Sequence, residues 1–217
     1  MIRIVLLTLL PLITGILHIR AEYLPVDTPG RQRQIFLFKP LTTILILLLA
    51  LLAPRPEPPL YQVAIVIALL FSLGGDIFLM LPQDRFLFGL ASFLVAHLVY
   101  IVAFSLRTPE LWTSWGVLPL LLYGAGMTAY LWPGVKRKMR LPVLLYILAI
   151  LVMAWRGLEQ WSQVGGTAAL LAFTGTLFFV ASDSLLAVNR FRRPFYLAQA
   201  FVLSTYYLAQ WLIALSI

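Results

Sequence analysis

Eight long apolar stretches, separated by short polar breaks, constrain this chain most. A helix that crosses the hydrocarbon core of a bilayer needs roughly 20 mostly apolar residues, and most of the stretches reach about that length. Hydrophobic residues make up 62% of the 217 residues, well above the roughly 45–50% of soluble domains. The breaks carry the Pro and the charged residues that are typical of turns between helices. The stretches are residues 2–19, 36–53, 60–81, 86–106, 111–132, 141–155, 166–188 and 195–216.

These stretches predict an all-α polytopic membrane helical bundle with about eight transmembrane helices. The short breaks leave no room for a soluble domain, so we expect one integral membrane domain over residues 1–217. The first stretch lacks the small-x-small pattern of a cleaved signal peptide, and we expect it to remain as a helix.

The basic residues predict an orientation, because Lys and Arg concentrate in cytoplasmic loops. With eight spans the two termini share one side of the membrane. Four basic residues fall on that side and twelve on the other, which together account for all 16. The termini are therefore expected outside, in what we expect to be a bacterial inner membrane. The four are Arg3, Arg55, Arg107 and Arg156.

Composition excludes several kinds of chemistry. The chain has no cysteine, which excludes disulfides, thiol catalysis and thiolate metal sites. Its two histidines argue against a zinc hydrolase, because zinc usually takes three or four protein ligands. We expect no metal and no cofactor. The net charge of +8 comes from loop residues, which indicates contact with membrane lipids rather than with nucleic acid.

Two acids, Asp76 and Asp183, lie inside apolar stretches. Only four aspartates occur in the chain, and an acid inside a membrane span is costly and usually functional. Both lie near the inner ends of their stretches, so we expect them at a similar depth, toward the cytoplasmic leaflet. Of two nearby buried carboxyls, one can keep its proton while the other is ionised, which suits general acid and base catalysis. Structural pairing of the two acids with basic or hydroxyl side chains is the alternative.

Further polar residues lie near the same depth. His97 and Tyr100 are one turn apart on one helix face, where either a site role or packing fits. Lys39 lies near an inner edge and fits a contact to a lipid phosphate, a counter-ion for an acid, or a snorkelling side chain. Asn189 and Arg190 extend the Asp183 helix into the inner interface, where phosphate binding competes with a simple topology signal.

An internal 4+4 repeat is suggested by a gap-free alignment of the two acids. It pairs His97 with Ser204 and Tyr100 with Tyr207. Two four-helix halves would be parallel repeats that place the acids across an axis along the membrane normal. Tyr207 is a candidate for binding substrate, and interior packing is its alternative role.

Five segments together resemble the YhhN-like family of membrane proteins, which includes the lysoplasmalogenases. They are FKPLTT at 38–43, LGGDIFLML at 73–81, FGLASF at 88–93, HLVY at 97–100 and SDSLLA at 182–187. The resemblance covers the whole chain in order and spacing. It implies an eight-span hydrolase that cleaves the vinyl ether bond of a lysophospholipid partner, giving a fatty aldehyde and glycerophospho-ethanolamine or -choline.

That reaction matches the polar residues found above. Vinyl ether hydrolysis begins with protonation of an alkene carbon and passes through an oxocarbenium ion, a problem that glycosidases solve with two carboxyls. We expect Asp76 and Asp183 to be the acid and the base, in an order left open, with His97 or Tyr100 orienting water. Lys39 and Arg190 would hold the lipid phosphate, and the chain would enter sideways between helices.

The same residues also fit two other functions. Gly74-Gly75-Asp76 and a distant second Asp also fit an intramembrane aspartyl protease, although the first acid lacks a preceding Tyr. A small proton-coupled transporter of lipid or solute would use the acids as proton carriers, and helices broken at the acids would support it.

Overall fold

The computed structural model describes residues 2–54, 58–108 and 116–217, and within them the chain forms eight α-helices and no strand. The helices are α1 (Ile2–Glu22), α2 (Arg31–Leu52), α3 (Pro59–Met80), α4 (Phe86–Arg107), α5 (Val117–Leu131), α6 (Arg140–Val164), α7 (Gly166–Phe191) and α8 (Ala198–Leu215). Two short 3₁₀ turns, Trp132–Gly134 and Arg137–Met139, join α5 to α6.

Six of these helices are long and apolar enough to cross a membrane, which confirms the predicted polytopic helical bundle. By length and composition they are α2, α3, α4, α6 with the turn before it, α7 and α8. The described part of α5 has 15 residues. Predicted residues 111–115 of the fifth stretch and Arg55 of the second loop lie outside the described residues.

The sixth stretch was predicted too short. Helix α6 continues nine residues past Trp155, because the polar residues that follow are buried inside the bundle instead of forming a loop. Arg156 is 3% exposed and donates hydrogen bonds to the carbonyl and hydroxyl of Thr108. The assignment of Arg156 to a loop was therefore wrong, and the count on the terminal side falls by one.

The helices pack so that α3 and α7, which carry the two acids, each touch three neighbours across the bundle. Helix α3 packs on α4, on α2 and, more lightly, on α8. Helix α7 packs on α8, α6 and, more lightly, α5. Helix α4 also packs on α6, and α2 on α8. Both acids therefore face side chains from several other helices.

Aromatic rings fill the space between the two acid-bearing helices. Phe179 packs edge to face against His97, Phe93 and Tyr206, with ring centroids 4.7, 6.4 and 5.7 Å apart. Phe93 also packs on Tyr206 at 5.7 Å. Gly75 makes room for this cluster, since a Cβ there would lie 2.5 Å from Phe93 Cε2.

Candidate active site

Asp76 is held by donors from two other helices. The carboxyl is buried on α3, and its Oδ2 accepts hydrogen bonds from Thr43 Oγ1 of α2 and Tyr206 Oη of α8, each 2.7 Å long. Lys39 Nζ lies 4.0 Å from Oδ1. All three neighbours are hydrogen-bond donors. They match the oxygens of a carboxylate, which only accept hydrogen bonds.

Asp183 is held in the same manner from a different pair of helices. Tyr146 Oη of α6 donates to Asp183 Oδ2 over 2.5 Å. His97 Nε2 of α4 lies 3.3 Å from the same oxygen and 3.0 Å from Tyr146 Oη. Tyr146 donates its own hydroxyl proton to Asp183. We therefore place a proton on Nε2 of His97, which makes this nitrogen a donor. The three side chains form one hydrogen-bonded cluster.

The two acid sites use corresponding helices of the two halves of the chain. Asp76 on α3 is bound from α2 and α8, whereas Asp183 on α7 is bound from α6 and α4. Exchanging α1–α4 for α5–α8 converts one set into the other, as a 4+4 repeat requires. The repeat itself stays a prediction.

Both acids line a single polar cavity of about 390 Å³. Its wall brings together five of the predicted site residues, namely Lys39, Asp76, Asp183, Asn189 and Arg190. Other polar side chains in the wall include Asp84 and Tyr206. The cavity lies at the end of the bundle that carries the α3–α4 and α7–α8 connections, where most of the basic residues are found.

An apolar slot of about 60 Å³ adjoins the polar cavity. Residues from α5, α6 and α7 line most of it, and Asp183, Phe86 and Phe93 belong to the walls of both spaces. Other slot residues are Leu90, Met127, Leu131, Ile147, Ile150 and Ala187. Asp183 therefore stands at the boundary between a polar and an apolar compartment.

Arg190 is engaged at the mouth of the cavity. Its guanidinium donates to Asp84 Oδ2 over 2.5 Å and lies 4.8 Å from the Phe86 ring centroid. The hydrogen bond from Arg190 holds the pKa of the Asp84 carboxyl below its usual range. Asn189 Oδ1 accepts the backbone N–H of Phe195 and so braces the α7–α8 connection.

Two predicted residues lie behind the cavity. Tyr100 donates to Gln210 Oε1 over 2.5 Å, so its hydroxyl points to α8. Tyr207 Oη lies 2.7 Å from His18 Nδ1, and its ring lines a separate groove of about 240 Å³ between α1, α2 and α8. In the described residues neither hydroxyl makes a hydrogen bond to either acid.

Sequence reasoning placed Lys39 and His97 near the acids, but it missed the hydroxyl partners. Tyr146, Thr43 and Tyr206 are uncharged residues inside apolar stretches, and nothing about them indicates which way they face. These residues could be found only once it is known which helices are neighbours. A tyrosine or threonine on a helix that packs against the acid-bearing helix is then a candidate partner.

The helices run unbroken through both acids. Helix α3 continues through Gly74 and Gly75, and α7 through Asp183. The broken helices that would support a transporter are therefore not found at either acid. Across the described residues, no group of three or more His, Cys, Asp or Glu side chains is arranged to hold a metal ion.

Comparisons with known proteins identify the family. Residues 34–217 match the YhhN family. The uncharacterized membrane protein YhhN of Escherichia coli O6:H1 is 32% identical over 200 residues, covering 91% of this chain and 94% of that protein. The lysoplasmalogenase TMEM86A of Bos taurus is 37% identical over 156 residues, covering 70% and 64%. The lysoplasmalogenase TMEM86B of Sus scrofa is 40% identical over 153 residues, covering 69% and 61%.

The alignments to these two mammalian proteins thus span somewhat less than two thirds of their length. No solved structure matches this chain. The chain is an integral membrane protein, and it belongs to the YhhN family.

Proposed function

We propose that this chain is a membrane hydrolase that cleaves the vinyl ether bond of lysoplasmalogens. The products would be a fatty aldehyde and glycerophospho-ethanolamine or -choline. The observation that carries the proposal is the position of Asp183, on the boundary between the polar cavity and the apolar slot. In a lysoplasmalogen the vinyl ether joins the polar headgroup to the hydrocarbon chain, so the scissile bond would lie at that boundary. The names of the mammalian relatives support the same substrate.

The headgroup would occupy the polar cavity. Lys39 and Arg190 offer positive charge to the phosphate, and Asn189 lies beside Arg190 on the same wall. The phosphate must compete with Asp84 for Arg190 and with Asp76 for Lys39. Phosphate accepts the same charge-assisted hydrogen bonds as a carboxylate, so it can replace the acids as the partner of Lys39 and Arg190. The first carbons of the alkenyl chain would lie in the slot.

Asp183 would act as the acid. It protonates the alkene carbon that is not bonded to oxygen, and the positive charge then spreads over the other alkene carbon and the ether oxygen. His97 and Tyr146 fix the position of its carboxyl group. The Asp183 carboxylate that remains stabilises the oxocarbenium ion.

Asp76 would act as the base. It takes a proton as water adds to the oxocarbenium carbon, which gives a hemiacetal. The hemiacetal then collapses as its hydroxyl proton passes to Asp183 and Asp76 returns a proton to the departing glycerol oxygen. One water is consumed and both carboxyls regain their starting protonation. Thr43 and Tyr206 hold the Asp76 carboxyl in place by donating to Oδ2, and Lys39 Nζ lies 4.0 Å from Oδ1.

The site would face the cytoplasmic leaflet of a bacterial inner membrane. The cavity mouth lies among the basic connections, and such connections are cytoplasmic by the positive-inside rule. The termini would then be outside, a topology that reporter tags at Ile217 can test. Beyond the lysophospholipid and surrounding membrane lipids, we propose no nucleic-acid partner.

The decisive experiment measures aldehyde release from lysoplasmalogen by the purified, detergent-solubilised protein. Asp76→Asn and Asp183→Asn should each lower turnover by about 100-fold or more, because general acid–base groups contribute that much. Asp27→Asn, at an exposed aspartate in the α1–α2 connection, is the matched control and should keep wild-type turnover. A lysolipid with a saturated ether in place of the vinyl ether should not be cleaved.

Three results would contradict the proposal. Asp183→Asn protein that is folded and turns over at the wild-type rate would remove Asp183 from the chemistry. Wild-type protein that releases no aldehyde would exclude this substrate. Lipid or solute flux into liposomes without any cleavage would favour proton-coupled transport instead.

A further inference from the structure

The apolar slot is too small to hold a lipid chain as it stands. Its volume of about 60 Å³ accommodates only a few carbon atoms, in contrast to the polar cavity of about 390 Å³. A chain that is seated beside Asp183 must therefore continue out of the slot. The surrounding medium that tolerates a hydrocarbon chain is the bilayer, so the seam between two helices is the required exit.

Helix α5 forms the outer wall of the slot and is loosely attached. Only Gly124 and Leu131 of its residues are buried. Gly124 lies against α6, where a Cβ would come 2.3 Å from Leu151 Cδ1. Between α5 and α7 the contact is much lighter. The α5–α7 side is therefore the weaker side of the slot.

A single hydrogen bond in the described residues spans that seam. Tyr123 Oη donates to Ser184 Oγ over 2.7 Å. Both residues line the slot, Ser184 follows Asp183 directly, and Tyr123 is 42% exposed at the outer surface. Hydrogen bonds between membrane helices contribute only modestly to stability on average, so this bond alone does not hold the seam shut.

The mouth of the polar cavity is a poor alternative path for a chain. The exposed Asp84–Arg190 ion pair lies in the cavity wall, and Lys39 lies deeper in the same wall. A hydrocarbon chain drawn through that mouth would leave the bilayer and pass charged groups in water, and the hydrophobic effect opposes this transfer.

We propose that the seam between α5 and α7 is the portal through which one straight hydrocarbon chain passes sideways from the bilayer, with the Tyr123–Ser184 hydrogen bond as its latch. The identity of the lipid rests on the proposed function, whereas the portal does not depend on which bond is cleaved. Because one seam opens onto one slot, the site takes a single-chain lipid, and a second chain has no described apolar space beside Asp183.

The test locks the seam with a reversible crosslink. The chain has no cysteine, so a Tyr123→Cys/Ser184→Cys variant carries the only two thiols. A short bis-methanethiosulfonate reagent joins them, and a reductant releases them. The matched control is Tyr23→Cys/Tyr196→Cys, at two tyrosines whose ring centroids lie 5.4 Å apart where α1 meets the α7–α8 connection.

Two substrates separate access from chemistry. One is a long-chain lysoplasmalogen, and the other is a water-soluble analogue with the same headgroup and a vinyl ether of two to four carbons. Locking the α5–α7 seam should abolish cleavage of the long chain, spare the short analogue, and be reversed by the reductant. Locking the control pair should change neither. Unchanged long-chain cleavage in the locked protein, or equal loss of both substrates, would overturn the portal.

A binding readout keeps the portal testable if the proposed reaction is wrong. A lysophosphatidylethanolamine with a photoreactive group in the middle of its chain is irradiated with the open and the locked double variant. Labelled peptides from α5 and α7 are expected in the open protein and should disappear in the locked protein. Labelling that is the same in both forms would overturn the portal, whether or not aldehyde is ever released.

Discussion

Tyr146 Oη lies 2.5 Å from Asp183 Oδ2, so α6 holds the acid that separates the polar cavity from the apolar slot. The same carboxyl oxygen lies 3.3 Å from His97 Nε2 of α4. The carboxyl therefore has one oxygen engaged by protein donors, while Asp183 remains part of both cavity walls. This arrangement orients the group without closing it off.

Removing the Tyr146 hydroxyl should therefore lower turnover. Tyr146→Phe keeps the ring and deletes a hydrogen bond to a carboxyl that becomes charged as it gives up its proton, and such a bond to a charged group is worth about 1.5–3 kcal/mol or roughly 10- to 100-fold. The loss should appear in kcat for aldehyde release more than in KM. Tyr130→Phe is the matched control, because Tyr130 is an exposed tyrosine of α5 outside the slot and cavity walls. A Tyr146→Phe protein with wild-type kcat would show that α6 does not position the acid.

The number of helices and the two acids were predictable from the sequence, because the bilayer constrains both. Its thickness sets the length of each apolar run, and an acid such as Asp76 inside one is conspicuous because it is costly there. Lys39, Asn189 and Arg190 were found by their position at the inner helix ends, and they line the cavity with both acids.

The hydroxyl partners of the acids were not predictable, because they depend on how each helix is rotated. Periodicity puts Tyr100 on the His97 face, yet its hydroxyl reaches Gln210 of α8. Tyr146 lies in an apolar stretch, and nothing in the sequence marks it as a partner of an acid. The end of α6 was also predicted wrongly, because charged residues such as Arg156 and Glu159 are typical of loops. Both are buried within the bundle, which the sequence does not indicate.

Gly75 should stabilise the fold, because the absence of a side chain leaves room for the Phe93 ring. Gly75→Ala would place a Cβ 2.5 Å from Phe93 Cε2, and Phe93 is fixed between Phe179 and Tyr206. Overpacking of this kind costs about 1–3 kcal/mol, so the midpoint of denaturation should fall.

The matched control for that variant is Gly126→Ala, where the new Cβ meets no atom within 4 Å. A helical Gly→Ala change in open space stabilises by about 0.5–1 kcal/mol. The two variants should therefore shift the midpoint in opposite directions. A Gly75→Ala protein as stable as the wild type would mean that the aromatic cluster can rearrange.

The Asp84–Arg190 pair should make stability depend weakly on pH. Since the hydrogen bond from Arg190 lowers the pKa of Asp84 in the folded protein, the pair stabilises the fold above the unfolded-state pKa of about 3.9. That contribution is lost as the pH falls through the lower, folded-state pKa. Thermal denaturation of wild type and Asp84→Asn should differ near pH 7 and converge in strong acid. A difference that grows as the pH falls would give the opposite sign and contradict the assignment.

Lys39 should contribute more to substrate binding than to the stability of the fold. Its ammonium lies 4.0 Å from Asp76 Oδ1 and lines the polar cavity, where a lipid phosphate would meet it. Lys39→Gln should raise KM for the phosphorylated lysolipid, because an uncharged amide forms a weaker hydrogen bond to phosphate than an ammonium does. KM for a vinyl ether of glycerol without phosphate should change much less. The exposed loop variant Lys138→Gln controls for the loss of one positive charge, and an equal rise in KM for both substrates would show that Lys39 acts through Asp76 and not on the phosphate.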